Sequence, residues 1–243
     1  MAKPLNVSVG TSPPKRKREL QLADYIDKSI ICQAYLHIDP VPEHLDEAAL
    51  KAQLESFLGV RAEFFLYKEV GTDVELKEGS LKIYLTILGT LYAGISQYPS
   101  FRQGVEMLAV DSKRVSEYAI SESLFLTKSR HDCVLRTEAR TGVCGTLKKI
   151  ADEIDYIKRE SGKADPSRLI ARMEALKKDI FLFKDNVTDP ADKAWVFPQL
   201  KQYADEQLPK RAVPKKDELV SAEIGAAYTR ERGLLMRSMN LEN

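Results

Sequence analysis

The stretch Leu81-Lys82-Ile83-Tyr84-Leu85-Thr86-Ile87 decides the fold. Apolar residues occupy every odd position, and Lys, Tyr and Thr occupy the even ones. A period of two belongs to a β-strand with one buried face. The alternation stops at Gly89, and Leu91, Ile95 and Tyr98 then follow at helical spacing. Strand and helix patterns therefore sit in separate runs of this chain.

Toward the N-terminus, Ile30-Ile31-Cys32-Gln33-Ala34-Tyr35-Leu36-His37-Ile38 is rich in β-formers and ends at Asp39-Pro40, which reads as a strand. Asp46 opens a helix through Leu58 with Leu50, Leu54, Phe57 and Leu58 as its apolar stripe, and Gly59 closes it. Arg61 to Val70 reads as a second strand, ahead of a Gly71-Thr72-Asp73 turn. Val74 to Ile87 reads as a third strand, bulged at Gly79. A small mixed or antiparallel sheet with packed helices is expected.

Toward the C-terminus the pattern is helical. Pro99-Ser100 starts a helix with Phe101, Val105, Leu108, Val115, Ile120 and Leu124 inward. Leu147, Ile150, Ile154 and Ile157 form one apolar seam. Leu169, Met173, Leu176, Ile180 and Phe183 form another, opened by an Asp165-Pro166 cap. Two such helices joined at Ser161-Gly162-Lys163-Ala164 make an antiparallel hairpin. The seams of residues 147–184 also suit a protein partner or self-association. Asp189-Pro190 starts a further segment, and the last helix runs from Asp217 to Met239. The fold class is α+β: a disordered basic arm over residues 1–18, an α+β domain over 19–128, and a helical region over 129–243 opened by a basic, glycine-containing loop.

The 243 residues carry 37 Lys and Arg against 36 Asp and Glu, and 44% are apolar. This composition excludes a wholly disordered chain, collagen and a coiled-coil rod. A net charge of +1 excludes a uniformly basic nucleic-acid binder. The charge is unevenly placed, however. The first 18 residues hold Lys3, Lys15, Arg16, Lys17 and Arg18 and no acid. The run from Lys15 to Arg18 fits a solvated tail, contact with an acidic surface or nucleic acid, or an import signal. The arm has no apolar core of the kind a secretory signal needs. Residues 81–95 are too few and too polar for a membrane span, which needs ~20 apolar residues. Three cysteines with no Cys-x-x-Cys pair suit free thiols in the cytoplasm. No spacing of His and Cys matches a zinc site, and no cofactor is called for.

The chemistry-bearing stretch is Arg136 to Lys149. Residues 128–149 hold six basic side chains and two acids. Gly142 and Gly145 stand just before a helix start, where convergent amides and the helix dipole attract anions. Arg136, Arg140, Thr141, Gly142, Gly145 and Lys148 are the candidate anion ligands, for a nucleotide or a nucleic-acid backbone. The competing reading is a loop that needs glycine for its turn and pairs its arginines with nearby acids. The spacing matches neither a Walker A loop nor a Rossmann turn. Cys144, near a helix start and basic groups, has the setting of a low-pKa thiol with His131 as its nearest partner. Ser80 lacks the Gly-x-Ser-x-Gly frame of a nucleophile. Asp152, Glu153 and Asp155 stand at ion-pair spacing from Lys148 and Lys149.

The combination Glu78-Gly79-Ser80-Leu81-Lys82, Tyr98-x-x-Phe101-Arg102-x-Gly104, Asp111 and Arg140-Thr141-Gly142-Val143-x-Gly145-x-Leu147 resembles uncharacterised bacterial proteins of conflict and anti-phage systems. The resemblance covers residues 28–157 and carries over no catalytic residue. It implies a cytosolic α+β module that acts with partner proteins. The expected function is a non-enzymatic interaction or sensor module with an anion-binding loop. The alternatives are a nucleic-acid-binding protein, or an enzyme of nucleotide or phosphoester chemistry at residues 136–149.

Overall fold

A computed structural model describes residues 29–66, 71–77, 80–215 and 219–241. The arm, with Lys15, Arg16, Lys17 and Arg18, lies outside the described residues, as does the expected bulge at Gly79. The chain runs β1 (Ser29–Ile38), α1 (Glu47–Leu66), β2 (Gly71–Lys77), β3 (Leu81–Gly89), α2 (Leu91–Ile95), α3 (Phe101–Thr127), β4 (Val134–Arg140), α4 (Gly142–Glu160), α5 (Pro166–Asn186), α6 (Pro190–Gln207) and α7 (Ala222–Ser238). The α+β class holds, with three strands in the N-terminal half, a fourth just past the midpoint, and helices through the rest of the C-terminal half.

The four strands form one antiparallel sheet in the order β2-β3-β1-β4. The crossover through α1 leaves β3 between β1 and β2. The crossover through α2 and α3 leaves β1 between β3 and β4. Two interleaved crossovers of this kind give the split β-α-β connectivity of ferredoxin-like sheets.

Five sequence expectations change, two of them simply: Gly71-Thr72-Asp73 opens β2 instead of forming a turn, and the last helix starts at Ala222 rather than at Asp217. Helix α1 runs on through Leu66, so Arg61 to Leu66 is helix and not strand. Leu50, Leu54, Leu58 and Ala62 recur every four residues and are fully buried, or nearly so. Their packing outweighs the roughly 1 kcal/mol that Gly59 costs inside a helix. The expected third strand is two strands, because β2 pairs antiparallel with β3. The stretch 134–140 is strand β4 and not a loop. A boundary at residue 128 therefore cuts the sheet.

One side of the sheet is buried. Ala34, Leu36 and Ile38 of β1 and Leu81, Ile83, Leu85 and Ile87 of β3 are at most 4% exposed. Each of these Leu and Ile side chains contributes about 1.5–3 kcal/mol. Helices α1 and α3 pack on this side, and α4 closes against the start of β1. Helix α3 approaches closely because Ser112, Ser116, Ala119, Ser123 and Thr127 line its inner face. Their hydroxyls donate to carbonyls one turn back, so none is buried without a partner.

Helices α4 and α5 form the expected hairpin, and Arg172 of α5 reaches back to Glu153 of α4 at 2.5 Å. Asp165 caps α5 by accepting from the Ser167 amide at 2.9 Å. Both apolar seams are buried inside this chain, with Leu147, Ile154, Met173 and Phe183 at 1% exposure or less. A partner has no access to them in this fold. Phe181 and Leu182, on the outer side of α5, are the exposed apolar residues of the hairpin.

Candidate functional site

The side of the sheet away from the core carries the even phase of the alternation. In β1 these residues are Gln33, Tyr35 and His37, and in β3 they are Lys82, Tyr84 and Thr86. All six are half-buried. The other phase of the same strands is buried, so these side chains form the more accessible side of the sheet. The register sets the side chains in rows across the strands.

The middle row is aromatic. Tyr35 faces Tyr84, and their ring centroids lie 4.8 Å apart at 40°. Glu138 of β4 and Glu75 of β2 flank the pair. Partial burial, and then the neighbouring Tyr84 phenol, raise the Tyr35 pKa above its ordinary value.

The second row is basic. Lys82 faces His37, and His37 faces Arg136. His37 Nε2 lies 2.8 Å from Ser80 Oγ, and the imidazole tautomer sets which of them donates. The third row is polar. Gln33 Nε2 donates to Thr86 Oγ1 at 3.2 Å, and Arg140 stands on the other side of Gln33.

Strand β4 is a sheet edge, and alternation puts Arg136, Glu138 and Arg140 on the open side. The Arg140 guanidinium donates to the Glu138 carboxylate, and Arg136 forms an ion pair with it. The hydrogen bond from Arg140, more than the charge of Arg136, holds that carboxyl below its ordinary range. The arginines nonetheless stay 65% and 60% exposed, so each can turn toward a second anion. Charged side chains on an edge strand also guard it against pairing with another sheet.

The six residues expected to form one anion site are not brought together. Arg136 and Arg140 face the open side. Thr141 is the N-cap of α4 and makes no side-chain cap bond. Gly142 sits at φ +48°, against the backbone of β1. A Cβ on Gly145 would lie 1.9 Å from Thr141 Oγ1. Both glycines are thus explained by packing. Lys148 points to the other layer, with Asp152 at 2.7 Å and Glu106 at 3.2 Å. That ionic cluster centres on Arg102, which donates to Asp152, Asp155 and Glu106 and ties α3 to α4. Tyr203 of α6 joins it through Asp155.

Cys144 lacks the environment expected of a reactive thiol. It is 1% exposed, and burial drives its pKa far up rather than down. His131 lies in the exposed turn before β4.

Sequence reasoning missed Tyr35, His37, Lys82 and Tyr84. Their signal was the polar phase of two alternating strands. It could not be read as a surface until the register joined the strands.

No family model, no curated protein and no solved structure matches the chain.

Proposed function

We propose that this protein is a non-enzymatic interaction module that engages a polyanion across the open side of its sheet. The observation that carries this reading is the row Lys82, His37 and Arg136, with Arg140 two rows away, beyond the tyrosines, on the same edge strand. The Lys82 and Arg136 cations, two strands apart with the His37 imidazole between them, meet a chain of negative charges without rearrangement of the backbone. The anion reading of Arg136 and Arg140 is kept from the sequence. The glycine loop and Lys148 are dropped from it, because they serve packing and an internal ion cluster. Nucleotide or phosphoester chemistry at residues 136–149 would need a carboxylate cluster or a bound divalent metal facing that stretch. Glu138 and Asp152 are instead occupied by arginines and a lysine. The resemblance over residues 28–157 supports a setting among partner proteins of a bacterial defence system.

The test is calorimetric titration with inorganic polyphosphate at low and moderate salt. Binding that weakens with salt and is lost in Lys82→Ala/Arg136→Ala is expected. Affinity unchanged in that double variant would sink the reading.

A further inference from the structure

We infer that the open side of the sheet binds single-stranded nucleic acid, with bases stacked on the Tyr35–Tyr84 pair and phosphates along Lys82, His37 and Arg136. This rests on the polyanion reading and names the ligand class of the same surface.

A polyanion with no bases would use only the basic row. The adjoining aromatic row needs its own explanation. Tyr35 and Tyr84 stand side by side on the two central strands, half-buried, with ring centroids 4.8 Å apart. Their faces are laid out for planar apolar groups, and nucleobases present such a face irrespective of sequence. Four-stranded sheets that display aromatics on adjacent central strands hold two or three bases in this way.

The charges fix the orientation. The tyrosine row runs from Glu75 through Tyr84 and Tyr35 to Glu138 and carries no cation, so phosphates are drawn to the neighbouring row that holds Lys82 and Arg136. The basic row is two residues further along the strands, about 7 Å away. That offset is comparable to the reach of a nucleotide from its phosphate to its base. From Lys82 to Arg136 the row crosses three strands, about 10 Å. Gln33 and Thr86, on the far side of the tyrosines, offer an amide and a hydroxyl to a base edge. A duplex fits this layout poorly, because its bases are already stacked and no ring face is available.

The ligand chemistry is shared by RNA and DNA, and the experiment separates them. Fluorescence anisotropy is measured with labelled oligo(dT) and oligo(U) of about a dozen nucleotides, and with an abasic strand of the same length. Tight binding of at least one base-bearing strand is expected, at least tenfold tighter than the abasic strand. The stronger of the two assigns the sugar. Tyr35→Ala and Tyr84→Ala should each weaken base-bearing strands by about 5- to 150-fold. Both should leave abasic-strand and polyphosphate binding unchanged. Tyr35→Phe/Tyr84→Phe keeps the rings and should retain affinity, which guards against a folding defect in the alanine variants. Equal affinity for the abasic strand overturns the stacking inference and leaves the polyanion reading standing. Absence of binding to every probe, polyphosphate included, overturns both.

Discussion

A Cβ on Gly142 would lie 2.3 Å from the Ile30 carbonyl oxygen and 2.8 Å from that of Ile31, at a φ that side chains rarely adopt. At Gly59 an added Cβ meets nothing within 4 Å. The two glycines should therefore respond oppositely to alanine. Gly142→Ala should cost about 2 kcal/mol or more, through strain and collision. Gly59→Ala should add about 0.5–1 kcal/mol, by removing helix-disfavouring freedom. Urea unfolding of the two variants checks both signs. The cysteines separate as clearly. Burial pushes the Cys32 thiol up to about 12 and raises Cys144 further, whereas Cys133 is only partly buried. The native protein should react with a thiol reagent at Cys133 alone, and all three should react after unfolding. Labelling of Cys144 in the native state would contradict the packing of α4 on β1. The glycines and cysteines were conspicuous in the sequence. Their roles were not, because Gly142 and Cys144 are decided by neighbours about a hundred residues away on β1.

At the scale of elements, helix α2 is only five residues long and survives by a borrowed cap. Its N-cap, Thr90, makes no side-chain bond. The fully buried carboxylate of Asp192 in α6 instead accepts from the Leu91 amide at 2.8 Å and the Tyr92 amide at 2.9 Å. Asp192→Ala strips acceptors from two amides and should cost roughly 2–4 kcal/mol. Hydrogen exchange checks it: Leu91 and Tyr92 should lose protection beyond the global loss. Uniform loss across the chain would mean that Asp192 does not act as the cap. The caps at Asp165 and Asp189 were legible, since both Asp-Pro pairs open a helix, but a cap supplied from another helix leaves no local pattern. Strands β1 and β3 were legible from their period of two. Strand β4 was not, because its inward phase, Leu135, Thr137 and Ala139, stays exposed. Backbone pairing with β1 holds it, and a sequence pattern does not report pairing. The continuation of α1 was hidden by Phe64 and Phe65, which read as strand formers. Phe64 is 71% exposed on the helix surface.

For the whole molecule, one core runs from Ile31 to Met239 and joins the sheet to every helix bundle contact. That leaves two surfaces of distinct character. The helical side exposes Val60, Phe64, Tyr118 and Phe125. The open side of the sheet combines the tyrosine pair, His37, Lys82 and the β4 arginines. The near-neutral net charge excluded a uniformly basic surface, and a single basic row on one side of a sheet agrees with it. The central claim is that binding belongs to the open side. Its most direct test is amide and aromatic NMR of the labelled protein during titration with oligo(dT). Shifts should cluster on Tyr35, His37, Tyr84, Arg136 and their strand neighbours. Shifts confined to α1 and α3, or to Gly142 and Gly145 at the start of α4, would contradict it.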